Sequence, residues 1–442
     1  MIKLLAFWDS IRSSYWFLPA VMTVGAVLLS TITIAVDYEL RPIDSRQVMV
    51  WLYTGGPEGA RTLLAMLAAS MLTIFGVVFS ILIVALTLAS SQFGPRLVRA
   101  FLSDTADQLA VGTFIGTFVY CLLVLRTVRG DGGETFVPHV SVTVAIVLAL
   151  VSLGVLIYFI NHLSTSLQAS YIVAAVGADF ARTIEREFLN PTETAAASAS
   201  ASSADAFAAA NAPILATSGG YIQAIDYESL VSVAKPHDLL LRVCVCAGDF
   251  VARGDRIAFA SLAGEPSSDL DSACTAALVL GKDRTHEQDP EFPINQLVQL
   301  AIRALSPAIN DPITAMIAID HLRAGLCHIA ELVVPSAWVS DDDGVVRLFV
   351  KRQELPHIAE SSFSLIRQYG RGNLEVCLSL LDAIEQIARR TSDAEFRRSL
   401  LEQATLIEHG ARSTLPEEAD RRRVAEYFQH LMAELQTATP PD

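Results

Sequence analysis

The polar side chains best suited to chemistry are concentrated between residues 281 and 315. The run Gly281-Lys282-Asp283-Arg284-Thr285-His286-Glu287-Gln288-Asp289-Pro290-Glu291-Phe292 leads into Arg303-Ala304-Leu305-Ser306-Pro307-Ala308-Ile309-Asn310-Asp311-Pro312-Ile313-Thr314-Ala315. Arg284 and Arg303 each offer a planar fork that fits a carboxylate or a phosphate. Asn310, Asp311 and Thr314 fall at a helix start, where free N–H groups face outward. One use of Arg284, Thr285, Gln288, Asp289, Arg303, Ser306, Asn310, Asp311 and Thr314 is a site for a small polar ligand of unknown identity, with the arginines as anion clamps. The other use is structural. Asp283, Asp289 and Asp311 then pair with the arginines and cap the helix, as Arg–Asp pairs and Asp-Pro helix starts commonly do.

Other chemistry is sparse. His286 and Glu287 lack the second histidine of a zinc-helix motif. His321 and His328, with Asp320 beside them, sit about 10 Å apart on a helix, too far for one metal. No G-x-S-x-G, P-loop or dinucleotide fingerprint is present. These patterns predict no catalytic residue, no metal and no cofactor. Cys244, Cys246, Cys274, Cys327 and Cys377 are an odd number after residue 164, and the first two alternate as on a strand, so reduced thiols are expected.

A second set of candidates is uncharged. Ser80, Thr87, Ser90, Ser91 and Gln92 punctuate a long apolar run, and Gly112 and Gly116 form a G-x-x-x-G pair. They are read as a pore-lining or helix-packing seam. The run is also consistent with a helix emerging into water and ending at Gly94-Pro95. G-x-x-x-G lets two helices approach closely.

The elements that carry these residues follow from hydropathy and charge. Of 442 residues, 52% are hydrophobic, yet the net charge is −15. Residues 1–164 hold nine basic and nine acidic side chains, so the whole −15 lies beyond them. This excludes a purely soluble enzyme, a disordered chain and a nucleic-acid binder, which needs a basic face. A membrane crossing takes about 20 apolar residues. Charge-free windows run over Ser13–Val36, Thr62–Pro95, Gln108–Leu125 and Val140–Asn161. Backbone groups in lipid must be bonded within their own segment, so these windows are expected to be helices. The first is too long for a signal peptide and lacks a cleavage site. Tyr15-Trp16-Phe17 reads as an interface anchor. No charged residue lies deep in any window, which argues against a carboxylate-driven transporter.

The expected architecture is an α-helical multi-pass membrane protein with four transmembrane helices, about 13–36, 62–92, 108–126 and 138–161, within residues 1–164. A stalk helix follows over 165–190, then an Ala/Ser-rich linker over 191–213. A soluble α+β domain completes the chain: a small β-rich part over 214–275 and a mainly helical part over 276–442. Gly248-Asp249 and Gly254-Asp255 frame a short strand. This stretch resembles the half-barrel repeat of biotinyl/lipoyl-type domains, but the lysine hairpin of a carrier does not follow.

With Ser14-Tyr15-Trp16-Phe17-Leu18-Pro19, residues 79–99 and the stretch from Gly112 to Tyr120, the 281–315 run resembles one family. It is the group of bacterial predicted membrane proteins called the domain of unknown function DUF2254. The resemblance spans nearly the whole chain. It implies a multi-pass protein of the bacterial inner membrane and brings no catalytic residues. The positive-inside rule is close to a tie, and the reduced cysteines favour a cytoplasmic N-terminus and C-terminal domain. Three roles remain open. The first is a homo-oligomeric channel or transport-type protein in the lipid bilayer, with a cytosolic regulatory domain. The alternative is a membrane-anchored sensor or scaffold that binds a ligand or protein partner. A membrane-anchored enzyme ranks last for want of a nucleophile or base.

Overall fold

Apolar side chains at nearly every position, unbroken by charge, favour helices whose backbone bonds close internally. Four such helices form in the first part of the chain: α1 (Phe17–Glu39), α2 (Pro57–Phe93), α3 (Thr105–Leu125) and α4 (His139–Ser166). The computed structural model describes residues 16–39, 52–93, 104–130, 135–166, 168–188, 211–262, 266–332 and 336–437. Tyr15, Gly94-Pro95, and the Ala/Ser linker up to residue 210 lie outside the described residues. The chain forms two units, residues 1–168 and 169–442.

In the first unit α3 is the inner helix. Of its most apolar window 61% is buried, against 17% for α1, 17% for α2 and 22% for α4. Its glycines explain the position. A Cβ at Gly112 would meet the Met22 sulfur at 2.5 Å and the Pro19 backbone at 3.1 Å, and one at Gly116 would rest 3.6 Å from Ala26. Phe114, Tyr120 and Phe159 fill the interior and are fully buried. The remaining apolar surface faces outward, where only lipid would accept it: Leu150, Ile157, Met66 and Val84 are each about two-thirds exposed.

The second unit begins with α5 (Ala169–Phe188). Its Ile172, Val173, Val176, Phe180 and Ile184 recur at helical spacing and are buried. They pack on α8 (Glu291–Ala304) and α9 (Pro312–Glu331). Between α5 and α8 lie β1 (Ala212–Leu215), β2 (Gly220–Ile225), α6 (Tyr227–Ala234), β3 (Leu241–Val243), β4 (Phe250–Val251), β5 (Arg256–Ala260), α7 (Ser268–Ala277) and β6 (Leu278–Gly281). Beyond α9 come β7 (Trp338–Ser340), β8 (Val346–Val350), α10 (Leu355–Gly370), α11 (Leu374–Ala388), α12 (Ala394–Thr414) and α13 (Glu418–Thr437). The strands form two sheets, ordered β1-β5-β3-β8-β7 and β4-β2-β6. Both contribute to one core that includes Ile214, Ile222, Leu241, Ile257 and Val350. The β-rich part extends beyond residues 214–275. β8 pairs in parallel with β3, matching Leu241 to Leu348, and so closes the larger sheet from the far side of α8 and α9.

Among the described residues five helices are long and apolar enough to cross a membrane, where the windows pointed to four. The fifth is α9, the least apolar of the five. Its apolar surface has another use, because α5, α8 and α11 pack around it and Leu322 and Leu326 are fully buried. The fold is thus an apolar helical part followed by a mixed α/β region.

Candidate functional site

The segment joining β6 to α8 carries the first half of the polar motif. Asp289 is completely buried, and the Arg284 fork closes on it through Nε at 2.7 Å and Nη2 at 2.9 Å. Arg284 also reaches Glu291 at 3.4 Å, and Gln353 Nε2 donates to Asp289 at 3.5 Å. Burial raises the Asp289 carboxyl above its ordinary range, and the bonded guanidinium opposes this. Gly248 caps the pair. Its φ of +93° favours glycine, and a Cβ there would stand 2.4 Å from Asp289 Oδ2 and 2.7 Å from Arg284 Nη2.

The neighbouring side chains tie elements together. Gln288 accepts from Ile225 N at 2.7 Å and donates to Ile225 O at 3.3 Å, like an added strand on β2. Thr285 donates to Gln223 O at 3.5 Å. Thr183 of α5 donates to His286 O at 3.0 Å, and Arg186 pairs with Glu287 at 3.0 Å. An adjoining cleft lined by Cys246, Gln288, Lys351 and Gln353 holds only ≈ 40 Å³, room for a water or two. The polar groups of this half therefore face one another and the backbone, joining α5, the small sheet and α8.

The second half forms the α8–α9 turn. Asp311 caps α9, accepting from Thr314 N at 3.1 Å and from the Thr314 hydroxyl at 2.5 Å. That bonding holds the Asp311 carboxyl below its usual value. Asn310 takes the left-handed conformation, φ 51°, and Asn310 N donates to Ser306 O at 2.9 Å. Arg303, in the last turn of α8, is half-buried. Thirteen helical steps separate Glu291 from Ala304, about 19 Å of axis. The helix thus sets the Arg284 and Arg303 groups at its opposite ends rather than around one small anion.

The uncharged candidates also separate. Gly112 and Gly116 are occupied by α1, as described above. On α2, Thr62, Ala69, Thr73, Gly76, Ser80 and Thr87 are all exposed, and steps of three, four or seven residues put them on one face. Thr73 and Thr87 bond their own helix, to Ala69 O at 2.9 Å and Ile83 O at 2.8 Å. Ser90 is half-buried, and the Ser91 and Gln92 side chains lie outside the described set.

Charge placement did not single out the carboxylates that lock the bundle. Asp37, at the end of α1, caps α4 by accepting from Val140 N at 2.8 Å, Ser141 N at 2.9 Å and the Ser141 hydroxyl at 2.6 Å. At the opposite end Asp104 caps α3 through Ala106 N at 2.9 Å and meets His162 Nε2 at 2.7 Å. The signal for Asp37 was present, because it borders the first apolar window, whereas Asp104 lies three residues before the charge that bounds the third. Among the described residues no group of three or more His, Cys, Asp or Glu side chains is arranged to hold a metal ion.

Residues 12–386 match the model of a family described as "Predicted membrane protein (DUF2254)". Three mycobacterial relatives, one from Mycobacterium bovis and two from Mycobacterium tuberculosis, are each described as an uncharacterized protein. Each is 30% identical over 428 residues, covering 94% of this chain and 80% of the relative. No solved structure matches.

Proposed function

Because the chain belongs to the DUF2254 family of predicted membrane proteins, we propose that its first unit crosses the bacterial inner membrane four times and assembles with copies of itself into a conduit for small hydrophilic solutes. One observation carries this reading, the row of hydroxyls and small residues along α2, which Met66 and Val84 flank on the same side of the helix. Thr62, Ala69, Thr73, Gly76, Ser80 and Thr87 face outward from the bundle, where a single chain would present them to hydrocarbon. A Cβ at Gly76 would meet nothing within 4 Å. Small residues one turn apart, Ala69 with Thr73 and Gly76 with Ser80, suit close approach of a second α2. The interior of one bundle is filled by Phe114, Tyr120 and Phe159, so a pathway forms between copies and is lined by hydroxyls.

In this reading α1, α2, α3 and α4 cross, and α9 stays within the second unit as a packing helix. The N-terminus and the second unit lie in the cytoplasm, where the thiols stay reduced, and the second unit regulates the conduit. Reconstituted protein tests the proposal. Vesicles loaded with an ion-sensitive dye should leak with the unsubstituted protein and lose that leak with Gly76→Leu, which blocks close approach. A leak unchanged by Gly76→Leu, or protein that remains monomeric in lipid, contradicts it.

A further inference from the structure

The turn between α8 and α9 ends in an apolar tip that the second unit leaves uncovered. Ile309 is 49% exposed and Ile313 is 64% exposed. Pro307, Ala308 and Asn310 are exposed beside them. Residues 304–310 carry no charge, although the chain beyond residue 164 holds the entire −15. The single charge of the tip, Asp311, accepts from the Thr314 backbone N–H and hydroxyl.

The helices of the second unit define which end this tip occupies. Gly177 of α5 abuts His321 of α9, and Phe180 abuts Gly325. Residue numbers rise together along the contact, so the two helices run in the same direction. Continued back to its start, this register brings Ala169 level with Ile313 and Thr314. Tyr171, 44% exposed, lies in the same first turn of α5.

Chain connectivity then ties that end to the bilayer. Only residues 167 and 168 separate Ala169 from Ser166, the last residue of α4. The uncharged apolar stretch of α4 ends at Asn161. Five further helical residues add about 8 Å, and three Cα–Cα steps add at most about 11 Å. The start of α5 is therefore held within about 19 Å of the hydrocarbon edge, a span that includes the headgroup layer.

We infer that the 307–313 tip, with Ile309 and Ile313 foremost, inserts into the headgroup and acyl boundary of the leaflet from which α4 emerges. The chemistry fits that partner. An acidic unit is repelled by an anionic leaflet, and an apolar tip beside its tether, whose one carboxylate is bonded to Thr314, is the surface that can enter it. Ile309 and Ile313 then anchor the α8–α9 turn, so bilayer thickness and headgroup packing bear directly on the start of α9.

The test uses the full chain bearing Ile313→Trp, with Ile309→Trp as a second variant, in phosphatidylethanolamine and phosphatidylglycerol vesicles. Co-flotation first establishes insertion of the first unit, so that failure of the membrane reading and failure of the tip are told apart. Emission is read as a difference from the unsubstituted protein, with acyl chains brominated near the carbonyl as quencher. The expected result is blue-shifted emission that loses roughly half its intensity, as for a residue about 5–10 Å into the boundary. Phe250→Trp, at another exposed apolar position (62%), should stay unquenched. Red, unquenched emission from both tip variants overturns the inference. So does blue, unquenched emission, which would place protein over the tip: a second copy if it varies with the protein-to-lipid ratio, the same chain if it does not. Equal quenching of the Phe250→Trp control also overturns it.

Discussion

Arg284→Ala should loosen the second unit as a fold rather than silence a binding site. Asp289 has no exposure, and the Arg284 fork supplies its two short bonds, 2.7 and 2.9 Å. The substitution leaves Gln353, at 3.5 Å, as its remaining side-chain donor. Breaking a buried pair by removing one partner costs about 3–5 kcal/mol. The Arg284 side chain keeps 25% exposure, so water moderates the loss and the lower end, about 3 kcal/mol, is expected. Hydrogen exchange of the full chain in nanodiscs, followed by mass spectrometry, reads this locally. Amides of β2, β6 and the segment from 283 to 291 should exchange roughly 150-fold faster where their protection comes from opening of this unit. The double variant Arg284→Met/Asp289→Leu removes both charges and should return exchange to within about tenfold of the original. If Arg284→Ala changes exchange by no more than about twofold, the size of an ordinary surface substitution, the structural assignment is refuted. An anion clamp would then be the better reading of this half of the motif.

Other outcomes follow from the same geometry. Gly248→Ala combines a left-handed φ with a clash onto the Arg284–Asp289 pair, and should destabilise the second unit by at least about 1–3 kcal/mol in the same exchange assay. Asp311→Ala removes the cap of α9 and should cost about 1 kcal/mol, while Asp311→Asn or Asp311→Ser should recover most of it. The Asp311 and Asp341 carboxyls are both held below their ordinary values, by Thr314 and by Arg347 respectively. Their stabilisation is therefore complete above the ordinary carboxylate range and is lost as pH falls through the lowered values, which an acid titration of the exchange rates would show. Burial pushes the Cys246 and Cys274 thiols up to about 12 and Cys377 to about 11. Alkylation of the folded protein at neutral pH should therefore spare all three, and unfolding should release them.

The long uncharged windows made the apolar helices legible, because lipid demands unbroken hydropathy and internal backbone bonding. Their ends were less so. α4 continues to Ser166, past the polar Asn161 and His162, and His162 is bonded to Asp104. The Gly-Asp turns were legible from residue type alone. Gly248 and Gly254 both have φ +93°, and Asp249 and Asp255 each accept a backbone N–H three residues upstream. The parallel pairing of β3 with β8 was not legible, since it joins strands about a hundred residues apart and leaves no local periodicity. The candidate site shows the same division. Asp311-Pro312 announced a helix start, and the Arg284–Asp289 pair lies within six residues. The separation of Arg284 from Arg303 depended on the uninterrupted length of α8, which the motif's density obscured. Arg347, buried between Asp341 at 2.8 Å and Asp238 at 2.6 Å, gave no warning, because one partner comes from a distant turn.

Self-association through α2 is the claim on which the conduit stands, and disulfide trapping in native membranes tests it most directly. Ser80→Cys and Thr73→Cys place thiols on the small-residue face, whereas Ile81→Cys, 42% exposed, and Ile157→Cys of α4, 65% exposed, place them on other lipid-accessible surfaces. Mild oxidation should link chains through residues 73 and 80 and leave 81 and 157 unlinked. Equal linkage at all four positions, or none at 73 and 80, would contradict an assembly built on this face.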